Sequence, residues 1–242
     1  MLPQESKETG FTVIGFYDYT LILTLLGLVT AVFGMIQAVG GHIKLAILCL
    51  ILSGVCDAFD GAVARTKKNR TDDEKSFGIQ LDSLCDMVAF GAFPALICYL
   101  LGASGWFGRI AVFYYCVCSV IRLSFYNVKE INRLYSDVPE EKYYYGLPVT
   151  SITVILPVFF ILKLVLSDAA FTAVLVAMLL AVGTCFILNF RIRRPKKLIP
   201  LGVLVFGLVL LCEVLVFAFG GETTIKFREA WRCLVETFRA LN

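Results

Sequence analysis

Two stretches of this sequence decide its fold, and they read Asp57-Ala-Phe-Asp60-Gly61-Ala-Val-Ala64-Arg65 and, after a polar interval, Gly78-Ile-Gln-Leu-Asp82-Ser-Leu-Cys-Asp86. Both belong to strongly apolar segments, yet together they carry four carboxylates. A carboxylate in a membrane interior is costly, so it persists there only when it has partners or a function. These four aspartates are therefore the first candidates for a functional site.

The spacing of the aspartates places each pair on one face of a helix. Asp57 and Asp60 are three residues apart, and Asp82 and Asp86 are four apart. Because the interval between the segments is polar, we expect an antiparallel hairpin in which both pairs meet at similar depth. A rise of about 1.5 Å per residue puts Asp60 and Asp82 roughly 6 Å from the loop ends of their helices. Converging carboxylate oxygens predict a site for a hard divalent cation, Mg²⁺ or Mn²⁺.

The composition is typical of an integral membrane protein. Of the 242 residues, 59% are hydrophobic and 17% are charged, whereas a soluble domain is about half apolar and about a quarter charged. The length suggests a single domain. The net charge of +3 is too small to imply a nucleic-acid partner, and the polar start of the chain lacks the pattern of a secretory signal.

Apolar stretches of about twenty residues predict the membrane-spanning helices. The fold class is an all-α integral membrane protein, a polytopic helical bundle with about six to eight transmembrane helices. One membrane domain covers residues 1–242, with a core at 17–166, extra helices at 169–219 and an interfacial amphipathic tail at 224–242. The spans are placed near 17–39, 43–64, 79–102, 106–128, 147–166, 169–190 and 198–219.

Basic residues concentrate on the side of the polar loop 66–77. Twelve lysines and arginines lie on that side and three on the other. By the positive-inside rule, the acidic site faces the cytoplasm. Seven spans would leave the basic C-terminus outside, which fits that rule poorly. The twelve are Lys67, Lys68, Arg70, Lys75, Lys129, Arg133, Lys142, Arg191, Arg193, Arg194, Lys196 and Lys197, and the three are Lys44, Arg109 and Lys163.

Other polar and reactive residues carry weaker signals. The nine cysteines show no CxxC spacing and are interpreted as small residues of membrane helices. The single histidine, His42, lies in a short polar turn, which argues against a histidine-based site. The run Asp72-Asp73-Glu74 is interpreted as a solvated loop face, and Glu213 has no physical explanation.

The two quoted stretches together resemble the signature of the CDP-alcohol phosphotransferases, also called CDP-alcohol phosphatidyltransferases. The pattern is Asp57-x-x-Asp60-Gly61-x-x-Ala64-Arg65 followed by Gly78-x-x-x-Asp82-x-x-x-Asp86, with eight specified positions. The interval between Arg65 and Gly78 is longer than is usual in that family, but it falls in a polar loop. Such enzymes transfer a phosphatidyl group from CDP-diacylglycerol to an alcohol acceptor and release CMP.

The resemblance implies a role for each matched residue. It implies that Asp86 is both the general base and a metal ligand. Gly61 and Ala64 leave a helix face bare for the nucleotide, and Arg65 is placed to hold a phosphate. It further implies Mg²⁺ or Mn²⁺, a homodimer and a place among the lipids of the cell membrane. The implied metal ligands are Asp57, Asp60, Asp82 and Asp86, and the implied CDP-binding residues are Gly61, Ala64, Arg65 and Gly78.

Arg122 is a second charged residue within an apolar segment, Val120-Ile-Arg122-Leu-Ser-Phe-Tyr-Asn127. It either neutralises the acidic cluster or binds an anionic group of the substrate. The segment resembles the R-L-A-R-F-N stretch of bacterial phosphatidylserine synthases, and Gly146-Leu-Pro148 resembles their G-L-P. Phe125 stands where that subfamily has a second arginine.

We therefore expect L-serine as the acceptor, with glycerol 3-phosphate or an inositol compound as the alternative. A phosphorylated acceptor would need several basic residues beside the site, where Arg122 is the single candidate. An ion-coupled transporter is the rival of another class, and it predicts broken helices at the membrane centre and matching inverted halves. An inert scaffold predicts decay of the motif, which is intact.

Overall fold

The computed structural model describes residues 15–64, 66–67, 70–135 and 143–193. Arg65, the predicted span 198–219, the tail 224–242 and Glu213 lie outside these residues, as does nearly all of the N-terminal lead-in. The described chain forms seven α-helices and two three-residue strands. They are α1 (Ile22–Val39), α2 (Ile43–Ala64), α3 (Asp72–Asp86), α4 (Phe93–Leu100), α5 (Trp106–Tyr135), β1 (Tyr143–Tyr145), α6 (Ile152–Ile161), α7 (Asp168–Ile187) and β2 (Arg191–Arg193).

Five helical stretches of the described chain are long and apolar enough to cross a membrane. The prediction of an all-α polytopic membrane protein is therefore confirmed. The fifth predicted span, 147–166, corresponds to a shorter apolar helix, Val149–Leu164, which consists of α6 with a 3₁₀ turn at each end. The five long stretches are Tyr19–Val39, Ile43–Ala64, Asp72–Leu100, Trp106–Tyr135 and Asp168–Ile187.

Helix α3 begins earlier than the sequence analysis predicted. Thr71 forms a capping box with Glu74, because its hydroxyl accepts from the Glu74 amide at 3.2 Å and its own amide donates to the Glu74 carboxylate at 3.0 Å. The run Asp72-Asp73-Glu74 is thus the first turn of a helix and not a loop face, although Asp72 and Asp73 are exposed. Negative charge stabilises that end of a helix.

This earlier start corrects the predicted depth of Asp82. Asp82 lies ten residues into α3, about 15 Å from the start of the helix, whereas the sequence analysis expected roughly 6 Å. Helix α5 likewise continues to Tyr135, beyond the end of the predicted span 106–128.

A π-helical segment, Met87–Ala92, follows Asp86 directly and joins α3 to α4. Tyr115 of α5 is fully buried beside it, and its hydroxyl donates to the carbonyl oxygen of Phe90 at 2.6 Å. Segments of this kind are frequent at functional sites, because they change the direction of side chains within a helix. Here the hydrogen bond fixes the segment after Asp86 against α5.

Gly146 closes the connection between α5 and α6. Its φ is +67°, and a Cβ there would lie 2.9 Å from the carbonyl oxygen of Leu188 and 3.0 Å from Nη1 of Arg122. The position therefore requires glycine for both its conformation and its close contacts. Its amide donates to the carbonyl oxygen of Phe190 at 2.8 Å, next to the antiparallel pairing of β1 with β2.

Close packing of α1 against α2 and α4 leads to a test of the fold. A Cβ added at Gly34 would meet the ring of Phe93 and lie 2.7 Å from Cβ of Cys49. We expect Gly34→Ala to destabilise the protein by about 1–3 kcal/mol, since the core would be overpacked. The midpoint of thermal unfolding in detergent measures this effect. Gly105→Ala is the matched control, because no described atom lies within 4 Å of its added Cβ; equal midpoints for the two variants would contradict the packing.

Candidate functional site

Carboxylates from α2 and α3 converge in the membrane hairpin. One oxygen from each of Asp57, Asp82 and Asp86 lies within 4.8 Å of the other two. The carboxyl groups of Asp57 and Asp86 are close enough to interact, and so are those of Asp60 and Asp82. The two sequence pairs therefore meet across the hairpin, as their helical spacing predicted.

Asp60 is the most enclosed part of this site. It is 8% exposed and lies outside the three-carboxylate group. Its carboxylate accepts a hydrogen bond from the hydroxyl of Thr24 in α1 at 3.0 Å. The sequence analysis missed Thr24, although Thr20 and Thr24 are polar residues four apart at the start of an apolar span. That spacing was the available signal.

The donor set fits a hard divalent cation. Ligand oxygens lie about 2.0–2.1 Å from Mg²⁺, so two oxygens on opposite sides of the ion are about 4.2 Å apart. One oxygen from each of Asp57, Asp82 and Asp86 lies within 4.8 Å of the other two, so one ion between them could contact all three after modest side-chain movements. Carboxylate oxygens are also the ligands that Mg²⁺ and Mn²⁺ prefer. The acidic cluster can therefore hold such an ion.

Three of the four predicted nucleotide-binding residues lie in described helices, on the loop side of this cluster. Gly61 and Ala64 lie in the last turn of α2, directly after Asp60. Gly78 lies in α3, one turn before Asp82. A Cβ added at Gly78 would lie 3.3 Å from Nη2 of Arg70, so the bare face of α3 is next to a guanidinium group.

An ion-pair network connects the N-terminal segment to the same loop, and the sequence analysis did not predict it. Nζ of Lys67 lies 2.9 Å from Oδ2 of Asp18, and Nη2 of Arg70 lies 3.7 Å from the same oxygen. Burial raises the pKa of the Asp18 carboxyl, but hydrogen bonds from Thr20 and Lys67 outweigh burial and lower that pKa to about 2. Asp18 therefore stays ionised at neutral pH.

Arg122 lies in α5, next to the last turn of α7. It is 6% exposed, its guanidinium carbon lies 4.6 Å from the ring centroid of Tyr126, and Nη1 donates to the carbonyl oxygen of Phe186 at 3.4 Å. Five residues later on α5, Asn127 accepts a hydrogen bond from the hydroxyl of Ser83 in α3. This hydrogen bond fixes the register of α5 against the helix that carries Asp82 and Asp86.

The fold and the site thus define a polytopic membrane protein in which a helical hairpin carries a cluster of carboxylates that can hold a divalent cation. Residues 20–188 match the family model described as CDP-alcohol phosphatidyltransferase. The chain belongs to the CDP-alcohol phosphatidyltransferase family. This membership favours a transferase over the ion-coupled transporter and the inert scaffold that the sequence analysis considered.

Three relatives extend the comparison. The chain is 30% identical over 154 residues to a CDP-diacylglycerol–serine O-phosphatidyltransferase of Mycobacterium bovis, covering 63% of this chain and 52% of the relative. It is 28% identical over 173 residues to the Helicobacter pylori protein of the same name, covering 69% and 68%. It is 31% identical over 108 residues to an archaetidylserine synthase of Methanothermobacter thermautotrophicus, covering 44% and 46%. The chain spans about half the length of the mycobacterial relative that it matches.

Proposed function

We propose that this protein transfers the phosphatidyl group of CDP-diacylglycerol to L-serine and forms phosphatidylserine and CMP. The observation that carries the proposal is the convergence of Asp57, Asp82 and Asp86 in a chain of this family. The names of the relatives support serine, because all three describe transfer to serine or formation of a serine lipid. The lipid part differs between the archaeal and bacterial names, whereas serine is common to them.

In the proposed reaction, the hydroxyl oxygen of serine attacks the β-phosphorus of CDP-diacylglycerol. A new P–O bond forms to serine, the P–O bond to the CMP phosphate breaks, and CMP leaves with the bonding electrons. Asp86 accepts the hydroxyl proton as general base. Asp57, Asp60 and Asp82 hold the divalent metal, with Asp86 as a further ligand. When bound, Mg²⁺ or Mn²⁺ neutralises the diphosphate and stabilises the leaving group.

The register of α3 and α5 supports a role for Arg122 at the acceptor. Ser83 and Asn127 are level with each other because they share a hydrogen bond. Further from the α2–α3 loop, Asp86 lies about 4.5 Å and Arg122 about 7.5 Å beyond that level along their helices. The two residues therefore lie at similar depth along their helices. In the proposed arrangement, Arg122 binds the carboxylate of serine while the serine hydroxyl faces Asp86.

Exchange of Arg122 for lysine tests this role. Lysine keeps the charge but loses the planar fork that binds a carboxylate through two hydrogen bonds. We expect Arg122→Lys to raise the KM for serine about tenfold or more, with a smaller change in the KM for CDP-diacylglycerol. Steady-state kinetics with each substrate varied in turn measures both constants. Arg109→Lys, on the opposite end of α5, is the matched control, and an equal change in both KM values would assign Arg122 to charge balance.

A panel of acceptors tests the function itself. Purified protein is given CDP-diacylglycerol, Mn²⁺ or Mg²⁺ and one of L-serine, glycerol 3-phosphate or an inositol compound, and the lipid product is identified by mass spectrometry. We expect phosphatidylserine as the main product. If glycerol 3-phosphate or an inositol compound is used with a higher kcat/KM than serine, that compound is the acceptor, and the proposed phosphatidyl transfer still holds.

The proposal also includes the side of the membrane that the site faces and the oligomeric state of the protein. The site faces the cytoplasm, because basic residues concentrate on the side of the α2–α3 loop. The protein acts among the lipids of the cell membrane, and the family resemblance implies a homodimer. Serine and CMP are water-soluble, so a cytoplasmic mouth gives both of them direct access.

A further inference from the structure

Arg70 occupies a defined place above the acidic cluster. Thr20 contacts Arg70, and Thr24, four residues later, contacts Asp60. On the other side, Gly78 faces Arg70 and precedes Asp82 by four residues. Four residues are about one helical turn, with a rise of about 5.4 Å. Two separate elements thus place the Arg70 guanidinium one turn from the Asp60–Asp82 pair, towards the loop.

The guanidinium of Arg70 is enclosed but incompletely paired. Its side chain is 13% exposed, and Nη2 donates to the hydroxyl of Thr20 at 3.0 Å. Its Nε is buried and has no hydrogen-bond partner among the described residues. Leaving a buried donor unpaired is costly, and in native proteins such a group usually has a role. The missing side chain at Gly78 lets the guanidinium pack closely on α3, since a Cβ there would lie 3.3 Å from Nη2.

We propose that Arg70 binds the CMP phosphate of the nucleotide substrate, an inference that rests on the proposed function. The diacylglycerol part must extend into the lipid, so the cytidine part and its phosphate lie towards the loop, where Arg70 is. A guanidinium is the side chain best suited to a phosphate, since it donates several hydrogen bonds in a plane. Charge grows on this phosphate as CMP leaves, so the contact strengthens during the reaction.

The long interval between the two aspartate motifs thereby gains a function. Arg70 lies in the interval between Arg65 and Gly78, which is longer than in the related signature. The sequence alone indicated a positive-inside charge that could also contact anionic headgroups. Asp18 is a positioning residue in this scheme, because its carboxylate lies between the cations of Lys67 and Arg70. The N-terminal segment therefore helps to build the nucleotide site.

Nucleotide binding without acceptor tests the inference. The affinities of the purified full chain for CMP and for cytidine are measured with Mn²⁺ by competition against CDP-diacylglycerol. We expect Arg70→Gln to weaken CMP binding about tenfold or more, the loss of one charge-assisted hydrogen bond. Cytidine has no phosphate, so its binding should be unchanged, which also shows that the variant is folded. Arg70→Lys should recover part of the CMP affinity.

Lys67→Gln is the matched control, because Lys67 shares Asp18 with Arg70 but is not among the atoms nearest to a Cβ at Gly78. It should leave the preference for CMP over cytidine unchanged. Equal weakening of CMP and cytidine by Arg70→Gln, or equal effects of the two variants, would overturn the inference. If Arg70→Gln transfers to serine normally and binds CMP with unchanged affinity, the role proposed for Arg70 is wrong and the proposed transfer to serine stands. If Arg70→Gln weakens CMP binding as expected but the protein makes no serine lipid, the proposed acceptor is wrong and the role of Arg70 stands.

Discussion

Replacement of Asp86 by asparagine is expected to lower kcat by about 10²–10⁴-fold, the usual contribution of a positioned general base. An alcohol is a weak nucleophile at neutral pH, so the hydroxyl of the proposed acceptor, serine, needs a group that takes its proton as it attacks. Asparagine keeps the shape of the side chain and removes its basicity. Among the carboxylates of α3, Asp86 lies furthest from the α2–α3 loop, which in the proposed site is the end away from the nucleotide.

The metal dependence separates the two roles that Asp86 can have. If Asp86 acts mainly as the base, Asp86→Asn loses rate while the Mn²⁺ concentration for half-maximal activity and the affinity for CDP-diacylglycerol change little. The measurement is a metal titration of initial rates for wild type and variant. A fall in metal affinity that parallels the fall in rate would make Asp86 a ligand first, and another base would then be needed.

Removal of a metal ligand is expected to have the second large effect. Asp57 contributes to the three-carboxylate group from α2, whereas the other two members come from α3. In the proposed site, Asp57→Asn removes one of the carboxylates through which α2 holds the cation, and a bound metal supplies several kcal/mol of transition-state stabilisation. We expect activity at a fixed low Mn²⁺ concentration to fall about a hundredfold or more, with partial recovery at high Mn²⁺.

The control for this variant lies on the adjoining helix. Asp72 is exposed in the first turn of α3 and pairs with Lys75 at 2.9 Å, so Asp72→Asn removes a carboxylate of the same kind outside the site. Its activity and metal response should match those of wild type. Activity in Asp57→Asn that is insensitive to added Mn²⁺ would remove Asp57 from the metal site.

The parts of the site that follow helical spacing could be predicted from the sequence. Asp57 and Asp60, like Asp82 and Asp86, share a face because three or four residues make about one turn, and a polar loop between apolar segments gives a hairpin. The convergence of these carboxylates followed from local pattern alone. The depth of Asp82 did not, because the Thr71–Glu74 capping box extends α3 into a stretch that looked like loop.

The remainder depends on contacts between distant segments. Asp18 meets Lys67 and Arg70 across about fifty residues of sequence, and no periodicity connects them. Thr24 was visible only as a polar residue in an apolar span until α1 placed it on Asp60. Such contacts are set by how helices pack against each other, which a single sequence does not specify.

The most direct test of the account follows the oxygen of the acceptor. L-serine carrying a heavy oxygen isotope in its hydroxyl is incubated with purified protein, CDP-diacylglycerol and Mn²⁺, and the lipid and the nucleotide are analysed by mass spectrometry. Attack of the serine hydroxyl on the β-phosphorus predicts labelled phosphatidylserine and unlabelled CMP in equal amounts. Release of CMP without a labelled serine lipid would contradict the proposed transfer.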